Sequence, residues 1–171
     1  VKYAITHAPS LFADAVGVDG VDYGYGMYLS NVDLLGGGDE DEWRRLYGGP
    51  PYATWPRWTA RAPGFNVHKV TAPFRGEANS GRESLLGEWE FYAGLRRLEK
   101  AVELWVYPRG QHSLRRPLER RASLEGSLDW LDYWLNGRKD SNVRKREQYT
   151  RWESLRRKAE RVGWRGPEPQ R

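Results

Sequence analysis

Between residues 72 and 137 the sequence switches twice from a short apolar run to a longer pattern of helical period. The runs 72–78 and 102–107 are strand-like. GEWEFYAGLRRLEK, 87–100, spaces Trp89, Tyr92, Ala93 and Leu95 to Leu98 as an amphipathic helix over 87–99. PLERRASLEGSLDWLDYWLNG, 117–137, reads as a second helix with Gly137 at its C-cap. An earlier run over 13–18, with Ala13, Ala15, Val16 and Val18, ends at Asp19-Gly20. Strands separated by helices long enough to recross a sheet pair in parallel through crossover connections, so the expected class is α/β. Near-continuous apolar strands of this kind are covered on both faces.

The rest of the chain is fitted around that alternation. Residues 1–9 read as the end of a helix stopped by His-Ala-Pro. The stretch 23–64 is rich in Gly, Pro and aromatics and reads as an irregular lid with one short helix near Glu40–Leu46. NSGRESLL, 79–86, reads as a loop, and a last basic helix is expected over 142–162. The 39% hydrophobic content, with nine Trp and ten Tyr, suffices for a real core. Cysteine is absent, which excludes disulfides and thiolate-bound metal. No run reaches the roughly 18 apolar residues of a membrane-spanning helix, and the first ten residues lack a secretory pattern. No membrane partner is expected.

The net charge of +5 is uneven: residues 138–171 hold 12 Lys and Arg against 5 Asp and Glu, so 1–137 is slightly acidic. KREQYTRWESLRRKAER interleaves the two signs at helical i,i+3 and i,i+4 spacings, which fits a solvated helix better than a nucleic-acid surface. Two segments follow: 1–137 as the main unit and 138–171 as a basic helical extension.

WVYPRGQHSLRRP, 105–117, places His112 just past the third strand on a glycine turn. In parallel sheets functional residues gather on loops at the carboxyl ends of strands. Three such loops are readable: Asp19 and Asp22 after the first strand, Asn79 to Glu83 after the second, His112 after the third. A carboxylate holding one imidazole nitrogen fixes the tautomer and frees the other as a general base. His7, at a helix end, and His68, in a turn, do not join this group. No two histidines have metal-ligand spacing, so neither a metal nor a cofactor is expected. The missing part is a nucleophile. No G-x-S-x-G occurs, and Ser10, Ser80, Ser84 and Ser113 lack its glycine-flanked turn. Because a helix is already under way at Val1, the elbow is expected a few residues upstream.

YAITHAPSLFADAVGVDG, VTAPFRGEA, GEWEFYAGLRRLEKAVELWVYPRGQHSL and SLDWLDYWLNG resemble the catalytic domain of the prolyl oligopeptidase family of serine peptidases, over most of residues 3–157. The resemblance implies the C-terminal part of an α/β-hydrolase, usually preceded by a β-propeller, and peptide-bond hydrolysis through a Ser-His-acid triad. His112 matches the family's catalytic histidine, and the serine belongs to the upstream part of the same chain. The family usually carries its Asp in the loop that here reads NSGRES. Glu83 in that loop, or Asp22 or Asp19 after the earlier strand, is the candidate acid. On this reading the partners are a peptide substrate and the upstream segment, and the present chain alone is inactive. An esterase of the same fold is the nearest alternative. A non-catalytic relative is another, holding a ligand under Tyr23, Tyr25, Tyr28, Trp55 and Trp58.

Overall fold

The computed structural model describes residues 1–20, 24–33 and 40–166, with the side chains of all of these except 31–33, 40, 82 and 83. Three strands, β1 (Ala15–Val18), β2 (Phe74–Ala78) and β3 (Val102–Val106), form one sheet in the order β1-β2-β3. Both pairings are parallel, Ala15 facing Phe74 and Phe74 facing Val102. The expected α/β class and parallel sheet are observed.

One face of the sheet is covered by α1 (Lys2–His7) and α5 (Gly81–Arg97). Ile5, Ala15, Phe74, Phe91, Leu95 and Val102 close that core. Gly17 and Gly76 are paired across β1 and β2, and their bare Cα positions admit the Phe74 ring: a Cβ on Gly17 would lie 2.9 Å from it. The other face is covered by α6 (Pro117–Asn136) and α7 (Arg146–Arg161), whose Trp130, Tyr133, Trp134, Tyr149 and Trp152 form a second core with Trp164. Strand side chains alternate between faces, so Arg75 and Glu77 of β2 point toward α6. They pair with each other there, fully buried, with Ser127 accepting from Arg75 and Ser123 donating to Glu77.

The C-terminal segment therefore packs as part of the molecule. Trp152 Nε1 donates to Glu103 of β3 at 3.0 Å, and Trp164 Nε1 donates to the Ala13 carbonyl at 2.7 Å. Most of its cations stay at the surface, but two are drawn into the fold. Arg156 lies against the rings of Tyr133, Trp134 and Trp164, while Lys145 bridges Asp129 and Asp140. Among the described residues no helix is long and apolar enough to cross a membrane.

Three local expectations are corrected. The lid holds two further helices, α2 (Tyr25–Asp33) and α4 (Pro51–Arg61), besides α3 (Glu40–Tyr47). Pro51 occupies the first helical turn, where a missing N–H costs nothing. Pro56 is accommodated by a break at Thr54, whose φ of −131° is not helical. Second, α5 begins at Gly81, six residues before the expected start, so most of NSGRESLL is helix. Third, Trp58 is not part of a ligand-facing lid. It is fully buried, stacked on Trp43 and Tyr47 with Tyr28 at its edge, and its Nε1 donates to the Gly49 carbonyl.

Candidate active site

The three loops at the carboxyl edge of the sheet meet. Asp19 is the first residue past β1, and its N–H still extends the ladder to the Glu77 carbonyl at 2.8 Å. Its φ of +49° is left-handed, a conformation Asp tolerates better than most residues. That turn swings the carboxylate across the end of β2 to the start of α5. There Oδ1 accepts from the N–H groups of Asn79 (2.8 Å) and Ser80 (3.2 Å) and from the Ser84 hydroxyl, and Oδ2 accepts from the Ser80 hydroxyl. Ser80 is the N-cap residue of α5, but its hydroxyl goes to Asp19 and makes no cap bond.

His112 completes the cluster: Nδ1 lies 2.8 Å from Asp19 Oδ2. The imidazole is 79% exposed, the Asp19 side chain 4%. Burial on its own raises the Asp19 carboxyl. The bonds from Ser80, Ser84, the Asn79 N–H and His112 outweigh it and hold the group below the ordinary carboxylate range. An ionised carboxylate only accepts, so Nδ1 donates to Asp19, and in the neutral imidazole the free lone pair is then on Nε2.

Gly110 sets the approach of the His112 loop. Its φ is unremarkable; what it supplies is room, since a Cβ there would sit 2.7 Å from the Asn79 carbonyl oxygen. A side chain at 110 would push the β3 loop off the β2 loop and carry His112 away from Asp19.

Asp22 lies outside the described residues, as does Tyr23, and Glu83 falls in the first turn of α5 with its side chain outside them. Asp19, weighed beside Asp22 from the sequence, is the carboxylate found on His112. His7 does other work: it stacks on Tyr3, and its Nε2 lies 3.2 Å from the Ala60 carbonyl, joining α1 to α4. No cluster of three or more metal-ligating side chains occurs among the described residues. Beyond the site, Tyr25, Pro51, Tyr52 and Trp55 line an open, mostly apolar cavity of about 420 Å³.

The arrangement is a parallel α/β sheet carrying a histidine–carboxylate couple at its carboxyl edge, able to take up and return a proton at Nε2. Two solved structures share this fold. A variant of the AtxE2 isopeptidase with Astexin3-dC4 bound superposes with a TM-score of 0.71 at 26% identity, covering 91% of this chain and 23% of that one. The same isopeptidase in its apo form gives a TM-score of 0.70 at 24% identity, covering 92% of this chain and 23% of that one. The chain thus spans about a quarter of the length of these neighbours. No family model and no curated protein matches it.

Proposed function

We propose that this chain is the C-terminal portion of a serine-type peptidase resembling the prolyl oligopeptidase family, with an α/β-hydrolase catalytic domain. The observation that carries the reading is the His112–Asp19 couple at the carboxyl edge of the sheet. The likeness to an isopeptidase supports amide hydrolysis as the reaction. Residues 1–137 belong to the catalytic domain and 138–171 to the extension, of which the described part, 138–166, is docked on it.

In this account the nucleophilic serine comes from the segment preceding Val1. As its Oγ attacks the amide carbon, His112 Nε2 takes the hydroxyl proton, and Asp19 stabilises the imidazolium through Nδ1–H. Collapse of the tetrahedral intermediate breaks the C–N bond, and the imidazolium protonates the departing amine. Water then gives its proton to Nε2 and attacks the acyl-enzyme, and the serine recovers its proton. Glu83 stays in the test as the second candidate acid, because its place at the start of α5 is close to the Asp19 cluster in sequence. The substrate is a peptide or isopeptide, and the upstream part of the same protein is the partner.

Labelling the full-length protein with a fluorophosphonate and mapping the adduct by mass spectrometry tests this. The adduct is expected on one serine N-terminal to Val1, within a glycine-flanked turn. No adduct, or an adduct on a serine within 1–171, overturns the proposal.

A further inference from the structure

Behind Asp19 lies a buried ion pair that the reaction as described does not use. Lys2, in the first turn of α1, and Glu88, in the second turn of α5, are 3% and 1% exposed, with Lys2 Nζ 3.0 Å from Glu88 Oε1. Both grip Gly20, the residue after Asp19. The Gly20 N–H donates to Glu88 Oε1 at 3.0 Å, and Lys2 Nζ donates to the Gly20 carbonyl at 3.3 Å. The ladder between β1 and β2 ends at Asp19, so Gly20 has no strand partner of its own. Burying two charges is costly, and a well-packed apolar pair is often no less stable. An apolar pair, however, would leave both backbone groups of Gly20 orphaned. Here one acceptor and one donor match one N–H and one C=O.

The consequence lies in the Asp19 conformation. A left-handed non-glycine residue persists only when its surroundings over-determine it. Asp19 is fixed ahead by its ladder bond to Glu77 and behind by the clamp on Gly20, which leaves its carboxylate aimed at His112. Lys2 belongs to α1 and Glu88 to α5, so the clamp also ties α1 to the corner that carries the acid. Gly76 of β2 makes room for it, since a Cβ there would lie 3.1 Å from Glu88 Oε2.

We propose that Lys2 and Glu88 are positioning residues that hold the Asp19–Gly20 corner in register with His112 and link it to the helix that follows the nucleophile. The inference rests on the peptidase reading above. Its test uses the full-length protein with p-nitrophenyl acetate as substrate and ¹⁵N-histidine labelling to follow the low-field proton on His112 Nδ1. Glu88→Ala is expected to lower kcat about 100-fold, the scale of a misplacement near 1 Å, with KM within about threefold, and to erase the low-field signal. Glu88→Gln keeps the acceptor for the Gly20 N–H, and Lys2→Gln keeps an N–H donor for the Gly20 carbonyl; combined they remove both charges but preserve the clamp's hydrogen bonds, which keeps the test open if Glu88→Ala fails to fold. That double variant should retain the signal and recover kcat to within about tenfold of wild type. Wild-type kcat and an intact signal in Glu88→Ala overturn the clamp. So does a double variant no better than Glu88→Ala. If His112→Ala leaves hydrolysis unchanged, the peptidase reading fails instead. The Nδ1 signal then still decides the clamp, because it reads the corner's geometry without turnover.

Discussion

Asp14 stands immediately before β1, at the edge of the sheet opposite His112, and its neutral replacement gives a sharp test of how α6 docks. Its Oδ1 accepts from the Ala15 N–H and from Trp130 Nε1, both at 2.6 Å, while Oδ2 is buried with no hydrogen-bond partner. Burial outweighs the Trp130 and Ala15 bonds and pushes the carboxyl up from 3.8 to about 7. A folded-state value above the unfolded one means that the folded chain holds the proton longer. Stability then falls as pH rises from about 4 to 7, by about 1.4 kcal/mol per unit at full slope. The ceiling over that window is about 4 kcal/mol. Asp14→Asn keeps the Oδ1 acceptor and removes the charge, but its amide NH₂ takes the partnerless Oδ2 place at a cost of about 1–3 kcal/mol. The variant should therefore be more stable than wild type at pH 8 by about 1–3 kcal/mol, and the order should reverse by pH 4, where only the amide cost of about 1–3 kcal/mol remains. Urea unfolding followed by tryptophan fluorescence, with equal m-values required, measures both. A stability difference that does not change between pH 4 and pH 8 refutes the reasoning.

Other outcomes follow from single contacts. Gly110→Ala must displace the Asn79 backbone or the His112 loop; it should destabilise the chain by about 1–3 kcal/mol in chemical denaturation and cost the full-length protein about 100-fold in kcat. Trp152→Ala empties a fully buried site on the α7 side of the sheet and should cost about 3–5 kcal/mol, with limited proteolysis cutting first within 138–166; an unchanged digest would mean that the extension is not docked. Asp19 has a depressed carboxyl, so its contribution to stability is present above about pH 4 and is lost as pH falls through its folded value. Asp19→Asn should accordingly be less stable at pH 7 and show a smaller further loss on acidification, read from melts at pH 7 and pH 3.

Much of this was readable from the residues. The short strand-like runs separated by helical periods gave three parallel strands, and Gly137, with φ of +66°, closes α6 as its position suggested. His112 was visible because a glycine turn follows a strand. What escaped depended on partners distant in sequence. Asp19-Gly20 looks like any turn; only the strand pairing reveals that Asp19 reaches the N–H groups of residues 79 and 80. The early start of α5 was hidden because Ser80 and Gly81 read as loop residues while the Ser80 hydroxyl serves Asp19. The lid helix α4 was masked by Pro51 and Pro56, which punctuate a sequence as breakers although one sits where a helix accepts it. The two glutamates of GEWEFY carried a signal that periodicity does not use. Glu88 clamps Gly20, and Glu90 accepts from the N–H groups of Tyr25, Gly26 and Met27 at the start of α2.

The central claim is that His112, oriented by Asp19, moves the proton in amide hydrolysis, and steady-state kinetics of the full-length protein on peptide 4-nitroanilides test it most directly. His112→Ala should lower kcat/KM by about 10⁴- to 10⁶-fold and Asp19→Asn by about 10⁴-fold, while Glu83→Gln and Asp22→Asn cost less than about tenfold. Near-wild-type hydrolysis by His112→Ala, or a collapse in Glu83→Gln with Asp19→Asn spared, would contradict the account.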